Sequence, residues 1–399
     1  MNINWDLVFL VLFILGLYLF YRANKSKFEV QSKFFFIYKS KIGLKLMDKI
    51  AKWPKWLLHT FSVLSIIAGF LGMLMMAYTI IVYTFKFIMA PSVNSPVLSP
   101  VLPGINIPGV GTISFFHWIV AIFVVATIHE FSHGFIARFF KIKVKSSGFL
   151  FFGPLLGAFV EPDEKQLSKK SKYAQLSVFS AGPFSNILTG ALFLLILSSI
   201  TLPILGMFDY KGVQVVSADP QYPAAIAGIR TGETILSVNN KKVPLIQDFS
   251  NILNETKPYQ KIKVLTDKNN YTVTLTANPQ NKDKGFLGVV VQPASSYVKK
   301  DIEFSYGTFL PNVALWIYYM FKWLFLVSLG IALFNLLPMG PLDGGRMFLT
   351  SLMIIFKDEK KAKLVWGTIG WFLFALIIVN LLPLLKDFIM FLIKPFLAI

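Results

Sequence analysis

The sequence predicts a polytopic α-helical membrane protein of about six spans plus a re-entrant hairpin, with a small β-rich domain inserted between spans. Three observations lead there. Of 399 residues, 55% are hydrophobic and only 15% charged, where a soluble domain carries nearer a quarter charged residues. Uncharged runs at Thr60–Phe85, Pro91–Ile128 and Tyr173–Phe208 exceed the ~20 residues a helix needs to cross hydrocarbon. Residues 209–303, by contrast, mix both charge signs with short alternating apolar runs such as "KVLTDKNNYTVTLTA", a strand-and-turn pattern.

Charge orients the elements in order. Span one, about 5–21, follows "MNINWD", which has no basic residue, and no small-residue cleavage site comes after it. It therefore reads as a retained anchor with its N-terminus outside, not as a signal peptide. Between Arg22 and Lys55 lie ten Lys/Arg against two acids, Glu29 and Asp48. That density beside a span marks a cytoplasmic loop, so residues 1–56 form an anchor with a basic loop. The net charge of +19 then points to anionic headgroups of the lipid bilayer, and no nucleic-acid partner is expected. With no cysteine, disulfides and thiolate chemistry are excluded.

Residues 57–208 form the first part of the membrane core. Span two (about 58–88) runs outward, and the uncharged, Pro/Gly-rich "PSVNSPVLSPVLPGINIPGVG" is external. Span three (about 113–137) returns and stops at Arg138, Lys141, Lys143 and Lys145, which puts its end on the cytoplasmic side. Gly148–Val160 is apolar but too short to span, and is expected as a hairpin dipping into the membrane under a cover of protein. Span four (about 173–205) runs outward, leaving 209–303 as a domain outside. The second core part, 304–399, begins with 304–321 at the outer surface, where Tyr318, Tyr319 and Trp323 form an interface belt around Lys322. Span five (about 323–342) runs inward, a short helix covers 345–356, "KDEKKAK" (357–363) turns in the cytoplasm, and span six (about 364–385) goes outward.

The stretch "ATIHEFSHGFIARFF", Ala126–Phe140, ends an apolar run in two histidines flanking a glutamate. Ionisable groups in a span are costly and mark function by default. His129 and His133, at i and i+4, share one helix face and can reach one metal ion. Imidazoles with an oxygen ligand suit a single catalytic zinc, which keeps a position for water. Glu130 lies about 100° around the helix, the bearing a base needs to meet that water. A third ligand must come from elsewhere. Asp343 is the sole acid between Glu303 and Asp358, and Arg346 follows it much as Arg138 follows His133. Both segments approach the same membrane face, and His133 is only about 8 Å from the level of Arg138. His117 is twelve residues before His129, about 18 Å along a helix and too far for the same ion. His117 and His59 are expected as hydrogen-bonded or interfacial.

At this point the chain resembles the site-2 protease family of intramembrane zinc metalloproteases. The resemblance rests on "HEFSH" (129–133), "SAGPFSN" (180–186) and "NLLPMGPLDGG" (335–345), in the family's order. It implies zinc on His129, His133 and Asp343, water activation by Glu130, and peptide hydrolysis in the bilayer near the cytoplasmic face of a plasma membrane. The substrate implied is a transmembrane protein or peptide. Asn186 and Asn335 match asparagines the family retains. An amide near the metal could serve an oxyanion or a substrate strand, or bond helix to helix beside Ser180, Ala181 and Gly182. "GFLFFGPLLGAFVEPDE" looks like the family's re-entrant β-hairpin, whose edge pairs with an extended substrate. "PAAIAGIRTGETILSVNN" and "GFLGVVV" resemble a PDZ domain, implying a peptide ligand bound by strand addition. Two other readings use the same residues. A metal-ion transporter would translocate through His129, His133 and Asp343, but it should show repeated halves with broken helices, and no such repeat is visible. An inactive PDZ peptide-binding scaffold has no need of Glu130.

Overall fold

A computed structural model describes residues 5–32, 35–89, 98, 100–107, 110–152, 155–294 and 296–397. In chain order, helix α1 (Trp5–Ala23) leads to strands β1 (Phe28–Ser32) and β2 (Phe35–Ser40), then helices α2 (Leu44–Ile50), α3 (Lys55–Met89) and α4 (Phe115–Phe139). Strands β3 (Val144–Phe152) and β4 (Leu155–Pro162) precede helices α5 (Glu164–Ser168) and α6 (Lys172–Leu205). The β-rich stretch contains β5 (Val213–Ala218), α7 (Pro223–Ile226), β6 (Thr234–Val238), β7 (Lys241–Lys242), α8 (Ile246–Asn254), β8 (Lys261–Thr266), β9 (Asn270–Thr274), β10 (Val289–Pro293) and α9 (Lys300–Tyr306). The chain closes with α10 (Phe309–Asn335), α11 (Asp343–Phe356) and α12 (Glu359–Leu397). Among the described residues, six helices are long and apolar enough to cross a membrane: α1, α3, α4, α6, α10 and α12. The residues group into two compact units, 1–103 with 114–196 and 320–399, and 104–113 with 197–319.

The first unit is held by close approach. Along α3 the buried positions include Ser62, Ser65, Gly69 and Gly72, a small-residue stripe at helical spacing. Lipid tails are as apolar as leucine, so helices associate in a membrane by tight packing and hydrogen bonds across such stripes. Ser65 Oγ lies 2.7 Å from Ser180 Oγ of α6. A Cβ at Gly69 would fall 2.6 Å from Met347 of α11. Asn380 of α12 donates to Thr84 Oγ1 at 2.6 Å. Thus α3 is the hub that gathers α6, α11 and α12.

The basic loop contains regular structure. Strands β1 and β2 form a hairpin, and β2 pairs antiparallel with β3 from Phe35↔Phe152 to Ser40↔Ser147. With the β3–β4 hairpin this makes a four-stranded sheet in the order β1-β2-β3-β4. The hairpin expected at 148–160 is there as paired strands, longer by a few residues at both ends, and its turn at 153–154 falls outside the described residues. Because β2 covers one edge of β3, the remaining edge on this side is β4, which lies against α4.

Helix α2 seats this sheet on α4. Its Met47, 1% exposed, covers Gly134, where a Cβ would also meet Val160 at 3.1 Å. Arg138 at the end of α4 faces Asp48 of α2 at 3.4 Å and donates to the Val144 carbonyl at 3.1 Å.

Two expected boundaries differ. The turn expected at 357–363 shortens to 357–358, because α12 already starts at Glu359. Residues 309–335 form a single helix straight through Lys322, with no break into a surface piece and a span at 323–342. A lysine stem packs along apolar surface while its ammonium reaches outward, and Lys322 lies over the Trp323 ring at 5.8 Å. The helix stops at Asn335 because Pro338 and Pro341 lack N–H donors and restrict their neighbours, and Gly340 takes a positive φ of 48°.

The second unit contains an antiparallel sheet in the order β9-β8-β6-β5-β10, with β7 also paired to β6. Strand β8 alternates exposed and buried side chains, the period of a half-buried strand. Ile262 and Val264 join Val213, Val215, Ile235 and Phe249 of α8 in one core. The "NN" turn expected from sequence is Asn239–Asn240, both at positive φ (50° and 62°), as a tight two-residue hairpin requires.

Candidate metal centre

Helix α4 places His129 and His133 on one face, one turn apart. Ser114 caps it, accepting the His117 N–H at 3.3 Å, and Asp6 of α1 accepts from Phe115 N–H at 2.7 Å. The site lies toward the other end. Asp343 opens α11, after the Pro/Gly turn has brought the chain back from the end of α10. His129 Nε2 is 3.0 Å from Asp343 Oδ2, His133 Nε2 is 3.3 Å from the same oxygen, and the two Nε2 atoms are 3.1 Å apart. Three donor atoms thus form a triangle of 3.0–3.3 Å edges. Donors held tetrahedrally at 2.0–2.1 Å from zinc stand about 3.3 Å apart, so this set fits one such ion.

The tautomers agree. His133 Nδ1 lies 2.6 Å from the Val178 carbonyl oxygen, so Nδ1–H donates there and Nε2 keeps its lone pair for a metal. At His129 the Nδ1 atom is 3.1 Å from the Asn186 amide, whose oxygen is buried without a hydrogen-bond partner. If Nε2 binds metal, Nδ1 carries the proton and needs an acceptor. Turning the amide about its terminal bond supplies that acceptor from the orphaned oxygen. The Asn186 backbone is itself held, its main-chain carbonyl accepting from Ser328 Oγ of α10 at 2.8 Å.

Glu130 stands beside the triangle. Its carboxylate and the two imidazoles lie within 4.8 Å of one another, and its Oε2 accepts the Val160 N–H of β4 at 3.1 Å. The free edge of β4 therefore touches the glutamate directly. A cleft of about 330 Å³ opens on this group, bordered by Glu161 and Pro162 on one side and by Asn335, Pro341 and Arg346 on the other. At its rim Arg346 faces Glu164 at 3.4 Å and lies over Phe179 at 5.6 Å. Asp163 accepts from Gln166 N–H at 3.0 Å, and that bond, with Lys145 nearby, holds its carboxyl below the usual carboxylate range.

Of the residues singled out in the sequence, His129, Glu130, His133, Asp343 and Asn186 come together. Asn335 lines the same cleft, with its Nδ2 donating to Ile331 of its own helix at 3.0 Å. His59 faces Tyr173 at 3.3 Å and His117 faces Ser114 at 2.6 Å, both hydrogen-bonded and neither in the site. The sequence reading missed Gly182. A Cβ there would collide with His133 Nε2 and lie 2.6 Å from His129 Nε2, so α6 can approach the imidazoles only through glycine. The signal was present, since Gly182 sits inside "SAGPFSN", but it read only as helix packing. The Val160 N–H and the Val178 carbonyl are backbone groups and carry no side-chain signal.

Comparison with known proteins places this geometry. The profile of Peptidase family M50 matches residues 117–377, which include all six candidate residues. An uncharacterized protein of Methanocaldococcus jannaschii is 29% identical over 355 residues, covering 86% of this chain and 85% of its own length. A protein of Fusobacterium nucleatum named as a zinc metalloprotease is 23% identical over 327 residues, 68% of this chain and 94% of its own. The regulator of sigma-W protease RasP of Bacillus subtilis is 22% identical over 55% of this chain and 61% of its own. Among solved structures, a PDZ domain from Listeria monocytogenes aligns at 21% identity over 21% of this chain and 88% of that one, with a TM-score of 0.19. The chain belongs to Peptidase family M50, the site-2 protease family of zinc metalloproteases, and is a multi-pass membrane member of it.

Proposed function

We propose that this protein is an intramembrane zinc endopeptidase that hydrolyses peptide bonds within transmembrane segments of membrane-protein substrates. The observation that carries the reading is the triangle of His129 Nε2, His133 Nε2 and Asp343 Oδ2, with Glu130 beside it, on and next to a membrane-length helix. His129, His133 and Asp343 would hold one zinc ion, and the ion when bound supplies Lewis acidity that makes water a nucleophile near neutral pH. Glu130 takes the proton of the attacking water at its carboxylate and returns it to the departing amine nitrogen. Val160 N–H holds that carboxylate in place, which removes the reorganisation that a free side chain would need.

The free edge of β4 would receive the unwound substrate backbone, because a strand edge offers the hydrogen bonds that a peptide gives up on leaving its helix. Asn335 faces the cleft and would hold the substrate or its oxyanion. The Asn186 amide is turned to His129, and its role would be to position that ring. The basic stretches 22–56 and 138–145 would lie at the cytoplasmic side of a plasma membrane. The active site would then open toward that side, with residues 209–303 outside, where a PDZ-like domain could bind a peptide.

The test uses the full chain in a bilayer with a helical membrane substrate. Wild type and Glu130→Gln should each hold about one zinc, and only wild type should cleave. Equal cleavage by both would reject Glu130 as the base, and zinc flux into vesicles without cleavage would favour transport.

A further inference from the structure

A second cavity of about 410 Å³ lies between α3, α4 and α10, lined among others by Met76, Trp118, Ile122, Val327, Gly330 and Ile331. Asn335 lines both this groove and the metal cleft, so the two adjoin at that residue. Ile122 and Trp118 precede His129 by seven and eleven residues on α4, which sets them about 10 and 16 Å along the axis from the metal ligands. The groove thus runs from the metal level toward the end of α4 remote from Arg138. Its polar groups are already engaged, since Trp118 Nε1 donates to the Val101 carbonyl at 2.7 Å and Asn335 Nδ2 to that of Ile331. At Gly330 a Cβ would have nothing within 4 Å. Between Val327 and Ile331 on the same helix face, this glycine leaves a notch in the wall.

We propose that the groove is a substrate subsite that takes apolar side chains of the uncut transmembrane segment, and that Gly330 sets which side chains fit. The inference rests on the protease reading above. A substrate that crosses the bilayer must continue from the scissile bond into hydrocarbon, away from the Arg138 end. The groove offers an apolar path in that direction, adjoining the cleft at Asn335. Sixteen ångströms is about five extended residues, and the volume falls in the range of ligand sites. Lipid tails are as apolar as these walls, so entering the groove gains no hydrophobic driving force. Selection is therefore by shape. A side chain lying over Gly330 meets Val327 and Ile331 on either side of it, and bulk at position 330 would displace it.

The test crosses enzyme and substrate size. Gly330→Ala, Gly330→Leu and Gly330→Phe, full-length and zinc-loaded in a bilayer, are assayed against one transmembrane substrate. That substrate carries Gly, Ala, Leu or Phe at each of the five positions on the side of the mapped cleavage site away from the Arg138 end. The expected result is a kcat/KM that falls stepwise with size at 330 for the Leu and Phe substrates, by about 10-fold or more for Gly330→Phe. Zinc content should stay unchanged, and substrates with Gly or Ala at one position should restore cleavage. Ile331→Ala, which widens the groove, should shift preference toward larger residues. A loss equal for all substrates, or no loss, would overturn the subsite, as would occupancy by lipid that no substrate side chain competes with. It would also fall if Gly367→Phe, at another opening that adjoins the cleft at Pro341 beside Trp366 and Trp371, were the variant that imposed size selection. A wild type that cleaves no membrane substrate would instead remove the protease reading, and this subsite with it.

Discussion

Val160 donates its backbone N–H to the carboxylate of Glu130 at 3.1 Å, which ties the edge strand of the four-stranded sheet to the glutamate of the H-E-x-x-H helix. The residue that would activate water and the strand that would receive substrate are thus mechanically one. Val160→Pro removes the donor while leaving the fold of β4 intact, because proline is tolerated on an edge strand whose N–H points away from its neighbour. The expected outcome is a kcat lowered about 10-fold or more with unchanged zinc content, measured by cleavage assay and metal analysis.

Gly182 is the second test of the site. Alanine normally favours a helix over glycine by about 1 kcal/mol, so Gly182→Ala would stabilise α6 if packing were indifferent. Here its Cβ would strike the Nε2 atoms of His129 and His133. Zinc affinity, measured by competition with a chelator, should fall at least about 10-fold.

Asn186 would act through His129, whose Nδ1 it faces at 3.1 Å. Asn186→Leu removes the acceptor for His129 Nδ1–H and should weaken zinc binding about 10- to 100-fold, whereas Asn186→Asp keeps an acceptor oxygen and should retain most of it. Chelator titration of the three proteins distinguishes this from a purely structural role, in which both variants would fail alike.

The spans, the paired histidines and the return of Asp343 to their depth were legible in the sequence, because hydropathy, helical period and charge placement are local or one-dimensional signals. What was hidden is long-range. Phe35–Ser40 pairs with residues more than a hundred positions away, and the Lys/Arg on either side of it made the segment look like part of a simple basic loop. Lys322 looked like a break in span five because a charge in a span is costly, yet the ring of Trp323 beside it and a flexible stem let the helix continue. Gly182 could be seen only once two helices were placed face to face.

The polar ties of the membrane core should matter less than their burial suggests. Asn380 is 2% exposed and bonds Thr84 at 2.6 Å, but interhelical hydrogen bonds in bilayers average about 0.6 kcal/mol. Asn380→Leu should lower stability by about that amount in an unfolding titration and leave cleavage intact. Met47→Ala, which empties the contact over Gly134, should cost about 2 kcal/mol or more by the same titration.

The central claim is a metal centre built jointly by α4 and α11. Its most direct measurement is the zinc content of purified wild type, Glu130→Gln and Asp343→Ala. About one zinc per chain in the first two and a loss of most of it in the third is the predicted result. Full zinc occupancy in Asp343→Ala would contradict it.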